Sequence, residues 1–468
     1  MCPRLLIFDY KENFGTLNRS NALGTTSTAV SEAVEGIWNG PMQEIRQPTI
    51  ASSAYQKQLE AEGSGAPESV DEIELEEDVR YWSDFNRCFY TPDTIQPVPR
   101  PVAELNEGAG GWRIGQETFK RYEEQVELMD TAVRSTLEEC DSVQGFQVLS
   151  DSGSWGGFTT GLLETFRDDY GRTSVLTVPF LSSPTPGTTG PDIDWSDVTL
   201  VKSVLSDALL IRALRELADL SVPVQPPTEW SSLPAVHQSN SYRSSAYIST
   251  HVESVTLPLR TGQETVSTLA SRLTHQSSSA PFASLSGKAP WSSDAIQQQD
   301  WRLDAFTLPS RSRQTLPIPD RLSQLDVTRG LNTGDIKLYD ASYSKLNEGR
   351  GLKAGQVVRS YYAHACPLPS SFPRSLYPTS STIEAPESTL GNPSVSGISS
   401  LCTSEDLALL FKNYAQFSEQ ALKTRLPAVF GGVGGAVGMI DLDEMREVVQ
   451  DLWGLVDALG GGDGGGED

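Results

Sequence analysis

The stretch Glu139-Cys140-Asp141-Ser142-Val143-Gln144-Gly145-Phe146-Gln147 is followed at once by Asp151-Ser152-Gly153-Ser154-Trp155-Gly156-Gly157-Phe158-Thr159-Thr160-Gly161. Ahead of it, Phe119, Tyr122, Val126, Met129, Val133, Leu137 and Cys140 recur every three or four residues, which predicts a helix over 116–140 with one apolar stripe. Residues 145–150 read as a short strand and 151–161 as a glycine-bearing loop. Leu162, Leu163, Phe166 and Tyr170 then form the apolar face of a helix that Gly171 closes. Residues 173–181, rich in β-branched side chains, read as the next strand, and 194–220 as a long helix. This alternation predicts a doubly wound parallel sheet. Strand, glycine loop and helix in that order also let backbone N–H groups and a helix N-terminus face a phosphate.

Composition narrows the function. A chain of 468 residues is long enough for roughly two to three domains of ~100–200 residues with buried cores. Lys and Arg number 36 against 61 Asp and Glu, a net charge of −25, which disfavours a nucleic-acid binder because a phosphate backbone would be repelled. Cys2, Cys88, Cys140, Cys366 and Cys402 are scattered and without CxxC spacing, so reduced thiols are expected rather than a disulfide framework or a zinc site. His237, His251, His275 and His364 stand alone, without a Cys or His at metal-ligand spacing, and are expected at the surface or incidentally buried. The weakly polar run 428–440 spans 13 residues and holds five glycines, too short to cross a bilayer. Met1-Cys2-Pro3-Arg4-Leu5-Leu6-Ile7-Phe8-Asp9-Tyr10 reads as a strand from its second residue onward, not as a targeting peptide, and implies a missing upstream element.

Elsewhere the pattern is weaker. Residues 18–65 read as irregular. The run 68–78 carries seven acids and no base, and a solvated face is favoured there over a site for a cation or basic partner. In Val79-Arg80-Tyr81-Trp82-Ser83-Asp84-Phe85-Asn86-Arg87, aromatics alternate with arginines. Core packing with stacked arginines is favoured there over a docking surface. Residues 246–260 look like a strand, 275–293 and 367–404 like long Ser/Pro/Thr-rich loops, and 407–426 and 441–459 like amphipathic helices. The glycine-rich tail 460–468 is expected to be flexible and acidic.

Several of these segments resemble the tubulins. Cys2-Pro3-Arg4-Leu5-Leu6-Ile7-Phe8-Asp9 is similar to the tubulin strand VPRAVLVDLEP. Gly108-Ala109-Gly110-Gly111-Trp112-Arg113-Ile114-Gly115 resembles the loop GAGNNWAKG, and Val255–Gln263 resembles VTTCLRFPGQ. The Misato family of tubulin-like proteins fits better still. Its fungal members resemble this chain in Pro3-Arg4-Leu5-Leu6-Ile7, Asn13-Phe14-Gly15-Thr16-Leu17, Val79-Arg80-Tyr81-Trp82-Ser83-Asp84-Phe85 and Trp155-Gly156-Gly157-Phe158. The resemblance implies a tubulin-like α/β fold: a degenerate nucleotide-binding-type domain over 1–220 lacking its first strand and loop, and a smaller α+β domain over 221–365. A Ser/Pro-rich loop over 366–404, C-terminal helices over 405–459 and the tail complete the expected organisation.

The same resemblance implies a role in partitioning and inheritance of mitochondria and mitochondrial DNA, and in mitochondrial distribution and morphology. The expected location is peripheral on the mitochondrion with a cytoplasmic pool. A mitochondrial surface receptor or a cytoskeletal protein is the expected kind of partner. The alternative is a GTP-binding, filament-forming GTPase. Its nucleotide, GTP or GDP, would be held by Gly108, Gly110, Gly111, Ser152, Gly153, Ser154, Gly156 and Gly157. Against that alternative, Trp155 and Phe158 intrude where tubulin reads GGGTGSG, and bulky side chains restrict the backbone approach that glycine permits. Nor does an Asn-x-Asp follow Gly262-Gln263. Glu264 is the one acid nearby, it is out of register, and its replacement by glutamine is expected to be silent. A non-catalytic protein without a cofactor is the expectation.

Overall fold

The computed structural model describes residues 4–15, 17, 50–64, 79–101, 111–182, 195–225, 240–274, 280–291, 293–298, 300, 302–307, 313–315, 321–350, 357–373, 376, 393–431 and 438–459. The acidic run 68–78 and the tail lie outside them. The chain divides into two compact units, one of residues 1–101 and 122–141, the other of 102–121 and 142–468.

In the first unit, β1 (Ile7–Tyr10) runs parallel to β2 (Ile95–Val98), with Ile7 opposite Ile95 and Tyr10 opposite Val98. The Tyr-Trp-Ser-Asp-Phe segment is its interior clasp. Asp84 is fully buried and accepts the backbone N–H of Tyr81 at 3.0 Å and the Arg80 guanidinium at 3.3 Å. Ser83 donates to the Phe14 carbonyl at 2.9 Å, and Gln56 of α1 (Ala54–Ser64) donates to the Ser83 carbonyl at 3.1 Å. Gly15 stands at φ +53 against the Tyr81 ring, a position that a side chain would crowd. The Arg80 guanidinium lies 5.8 Å from the centre of the Tyr81 ring. Ser83 and Asp84 are thus the packed part of the segment, whereas Trp82 is 38% exposed.

The helix expected over 116–140 is interrupted. α2 (Trp112–Val126) ends at Glu127, whose φ is +51; a π turn (Met129–Val133) and α3 (Arg134–Glu138) follow. The break shifts the buried face: Val126 on the continuous stripe is 37% exposed, whereas Leu128, off that stripe, is fully buried.

The second unit contains the predicted parallel sheet. β3 (Phe146–Asp151), α4 (Ser152–Tyr170), β4 (Val175–Phe180), α5 (Val198–Leu217) and β5 (Leu220–Ser221) form successive crossover units with strand order β3-β4-β5. Phe146 pairs with Val175 and Leu176 with Leu220, both ladders parallel. Residues 151–161, expected as a loop, belong to α4. Asp151 caps that helix, and its turns continue without a break into the Leu162–Tyr170 face.

Residues 246–260, expected as a strand, form most of α6 (Ser241–Arg260). The Asn240 side chain caps its first turn by accepting from Tyr242 and Arg243, and Tyr247, His251, Ser254 and Val255 bury one helical face. Tertiary burial of that face overrides the β-propensity of the Val and Thr residues. α7 (Val266–Leu273) follows, opened by a capping box at Thr265 and Thr268.

A six-stranded sheet completes the unit. It comprises β6 (Ser284–Lys288), β7 (Arg302–Ala305), β8 (Arg313–Thr315), β9 (Arg321–Arg329) and β10 (Val357–Ala363), with β11 (Cys366–Pro367) and β12 (Ser394–Val395) pairing apart from it, and β13 (Gly397–Ser404). The order is β10-β9-β13-β6-β7-β8, parallel between β9 and β10 and antiparallel elsewhere. β6 and β13 correct the expectation of loops over 275–293 and 367–404. Their serines and glycines read as loop, yet they are interior: Ser284 donates to the Cys402 carbonyl at 2.9 Å, and a side chain at Gly287 would collide with the His251 ring. Leu176, Leu220, Tyr247, Leu269, Leu285 and Leu401 share one core that joins the two sheets through α6 and α7. Between its strands the chain forms α8 (Ser293–Gln297) and α9 (Thr333–Arg350). α10 (Leu407–Thr424) and α12 (Leu442–Leu459) follow the sheet, with the short α11 (Pro427–Phe430) between them.

Candidate functional site

Ligands of open parallel α/β sheets sit beyond the C-terminal ends of the strands. In the second unit those ends are Asp151 and Phe180, and the first turn of α4 starts between them. Ser152, Gly153, Ser154, Gly156 and Gly157 all lie in the opening turns of α4. Gly111 immediately precedes α2, while Gly108 and Gly110 fall outside the described residues.

Backbone donors in the first turn of α4 are already bonded to a carboxylate. The Asp151 side chain accepts the N–H groups of Gly153 at 3.4 Å and Ser154 at 3.0 Å, the usual role of an N-cap aspartate. A second carboxylate, Asp207 of α5, is fully buried just beyond the strands. It accepts the Ser182 N–H at 3.1 Å, the Ser182 hydroxyl at 2.9 Å and the Tyr414 hydroxyl of α10 at 3.0 Å. The Ser152 hydroxyl lies in contact with Asp207 and 3.0 Å from the Phe180 carbonyl, so its single proton serves one of the two. Gln225 donates to the Tyr414 hydroxyl at 2.8 Å. Burial pushes the Asp207 carboxyl up to about 6, against the opposing pull of its hydrogen bonds from Ser152, Ser182 and Tyr414. Burial, with the Asp207 charge beside it, raises the Tyr414 phenol well above its ordinary value.

The glycines serve a helix crossing. A Cβ on Gly157 would stand 2.0 Å from the Trp112 carbonyl oxygen, and one on Gly115 would stand 2.9 Å from the Phe158 nitrogen. A Cβ on Gly161 would meet the Phe119 ring at 2.8 Å, and one on Gly156 the Trp112 ring at 3.1 Å. The two glycine-bearing segments are thus brought together by the contact of α2 with α4, where missing side chains let the backbones approach. Phe158 fills the same seam, edge-on to Phe119 at 5.3 Å and to Trp155 at 5.0 Å. These residues do not fit a nucleotide phosphate at this end of α4. Two carboxylates hold the Gly153 and Ser154 N–H groups and the Ser182 donors, and Gly156 and Gly157 are closed off by α2.

Asp207, Ser182 and Tyr414 were not singled out by sequence pattern. One signal existed for Asp207: it is the lone acid in Val204-Leu205-Ser206-Asp207-Ala208-Leu209-Leu210-Ile211, a run otherwise fit only for a core.

Elsewhere one expectation is corrected, at Glu264, while His251 is incidentally buried, within what the sequence led us to expect. Glu264 is 3% exposed and paired with Arg272; it accepts the Thr268 hydroxyl at 2.6 Å and the Tyr361 hydroxyl, with Arg359 at 3.8 Å. Burial would raise its carboxyl, but the bonds from Thr268 and Tyr361 and the two guanidinium charges outweigh burial and hold it below its ordinary value. Its replacement by glutamine is not expected to be silent for folding, because a buried carboxylate that Thr268, Tyr361 and the half-buried Arg272 hold would be lost. His251 is 1% exposed, with Nδ1 at 2.8 Å from the Ser399 hydroxyl. Burial pushes it down to about 4, with Asp304 pulling the other way, so it is a neutral core histidine. Among the described residues no group of three His, Cys, Asp or Glu is placed to hold a metal ion, and no helix is long and apolar enough to cross a membrane.

The parallel sheet and its crossover helices have counterparts in known sequences. A tubulin domain family matches residues 73–261, and the Misato Segment II tubulin-like domain matches residues 1–61. Protein dml1 of Aspergillus clavatus is 29% identical over 399 residues, covering 80% of this chain and 75% of the relative. Protein dml1 of Aspergillus niger is 34% identical over 263 residues, covering 55% and 50%. Protein dml1 of Schizosaccharomyces pombe is 30% identical over 269 residues, covering 55% and 54%. The matched region thus spans three quarters of the first relative and about half of the other two. The fold and these matches define a tubulin-like protein. Within that class, the chain belongs to the Misato family.

Proposed function

We propose that this chain is a non-catalytic tubulin-like protein that acts, through protein contacts, in partitioning and inheritance of mitochondria and mitochondrial DNA and in mitochondrial distribution and morphology. The mitochondrial part of this reading rests on the Misato resemblance. The observation that carries the non-catalytic part is Asp207: a buried carboxylate takes the hydroxyl and N–H donors beyond β3 and β4, where a nucleotide phosphate would need them. A second negative group brought there would face two carboxylates in a site of low dielectric, where like charges repel strongly.

Its place in this reading is peripheral on the mitochondrial surface, with a cytoplasmic pool. The acidic balance of 61 to 36 opposes direct adsorption to anionic lipid, so a protein receptor or a cytoskeletal protein supplies attachment. Two experiments test the reading. Protein purified through gel filtration is expected to carry neither GTP nor GDP, and stoichiometric nucleotide would overturn the non-catalytic reading in favour of a filament-forming GTPase. Protease treatment of intact mitochondria is expected to digest the bound fraction, and complete protection would place it inside the organelle.

A further inference from the structure

Three cations of the second unit line one cleft beside the C-terminal end of α10. The cleft, open to solvent, offers about 540 Å³ between Glu419, Leu422, Lys423, Arg425, Leu442 and Arg446. With 61 acids to 36 bases in the chain, arginines of this unit ordinarily hold carboxylates. Arg113 holds Asp441, Arg212 holds Asp451, Arg272 holds Glu264 and Arg302 holds Asp300. Lys423 and Arg425 depart from that pattern: both are exposed, and among the described residues neither pairs with a carboxylate through its side chain. Arg446 pairs with Asp443, but both are more than half exposed, and such a pair contributes little. Glu419 is the one acid on the wall, and the Trp453 indole holds it at 2.7 Å.

Arg425 is also conformationally costly. It closes α10 in the left-handed region, at φ 48 and ψ 52, with its N–H on the Ala421 carbonyl. Glycine is the usual occupant of that position because a side chain is disfavoured there. A strained arginine whose side chain has no partner among the described residues points to a use for its guanidinium in binding.

We infer that this cleft docks an acidic peptide segment of a partner protein. Carboxylates of the segment meet Lys423, Arg425 and Arg446, and an apolar side chain rests on Leu422 and Leu442. The volume and the two leucines select a peptide over a small inorganic anion, which would leave the apolar wall and most of the space unused. The inference stands apart from the nucleotide question, since none of these residues touches the ends of β3 and β4.

The test uses the full chain and a fluorescein-labelled peptide of alternating glutamate and leucine, with a second peptide carrying glutamine for every glutamate. Fluorescence anisotropy is expected to show binding of the glutamate peptide that weakens with added salt, and no binding of the glutamine peptide. Arg425→Gly removes one cation and relieves the left-handed strain, so it is expected to melt at the same or a higher temperature than the parent. Combined with Lys423→Gln it is expected to weaken the peptide on the order of tenfold. Lys423→Gln with Arg446→Gln, both on exposed positions, is expected to give a similar loss. Unchanged affinity in both double variants, or equal binding of the glutamine peptide, overturns the inference. So does displacement by inorganic phosphate as effective as by unlabelled peptide, which assigns a small-anion site. Tighter peptide binding after Asp463→Asn, Glu467→Gln and Asp468→Asn would assign the cleft to the chain's own acidic residues and overturn it as well.

Discussion

Two regions of the second unit present groups suited to an anion, and they differ in what those groups already hold. Beyond β3 and β4, the N–H groups of Gly153 and Ser154 and the donors of Ser182 are taken by Asp151 and Asp207. At the end of α10, Lys423 and Arg425 hold no carboxylate among the described residues. The first region has the family's position and order of residues, but the Gly153, Ser154 and Ser182 donors named above are already taken. The second has no motif at all, yet two of its three cations are left without a carboxylate among the described residues. A motif locates where a backbone turns, whereas ligand chemistry depends on which polar groups remain unsatisfied after folding.

The largest expected effect separates a helix crossing from a phosphate loop. Gly157→Ala places a Cβ against the Trp112 carbonyl, so the two helices must part; a loss of about 3 kcal/mol or more is expected from urea unfolding. Gly153→Ala meets nothing nearer than the Ser182 Cβ at 3.4 Å and gains helix propensity, so it is expected to stay within about 1 kcal/mol of the parent. A phosphate-cradling loop would make Gly153 at least as sensitive as Gly157, and that outcome would break the comparison.

Asp207 is next. Its folded value, pushed up to about 6 by burial, lies above the ~3.9 of an exposed aspartate, so the folded state binds more protons between the two. The stability this proton affinity contributes is complete below about pH 4 and is lost as pH rises through 6, on the order of 2–3 kcal/mol. Asp207→Asn is expected to abolish that slope relative to the parent. Parallel stability curves for the two proteins between pH 4 and 7 would show that Asp207 is not held as described.

Glu264→Gln is expected to cost on the order of 1–2 kcal/mol, because the hydrogen bonds from Thr268 and Tyr361 lose their charged acceptor and the half-buried Arg272 loses its partner. The sign with pH is opposite to that of Asp207. Glu264 is depressed, so its stabilisation is present above the ~4.3 of the unfolded chain and disappears as pH falls through its lower folded value. In cells the variant is expected to accumulate less yet rescue mitochondrial inheritance once its level is restored. Failure at normal abundance would instead point to a catalytic carboxylate.

The smallest effect expected is none. GTP or GDP added in large excess should leave the melting temperature unchanged. A ligand at a hundred times its Kd would contribute about 2.7 kcal/mol, a shift too large to miss.

Much of the second unit was legible in the residues themselves. The strands at 145–150 and 173–181 and the helix within 194–220 lie within a few residues of β3, β4 and α5, because apolar periodicity there is strong and unbroken. The 151–161 segment was misread because glycine and serine favour loops, while the Asp151 cap and the Trp112 contact make it helical. α6 was misread because Val, Thr and Ile suit strands, and the partner that selects a helix is the face formed by β6, β9 and β13.

Sequence alone determined the order of strand and helix, the acidic balance, and the residues that carry the Misato resemblance, since each is a property of neighbours along the chain. Only tertiary structure decided the condition of the candidate site. Asp207 bonds to residues 55 positions before it and 207 after it, and such separations leave no local pattern. The same holds for Gly157 and Glu264. Their roles come from the Trp112 carbonyl and the Tyr361 hydroxyl, groups brought against them by packing rather than by proximity in the chain.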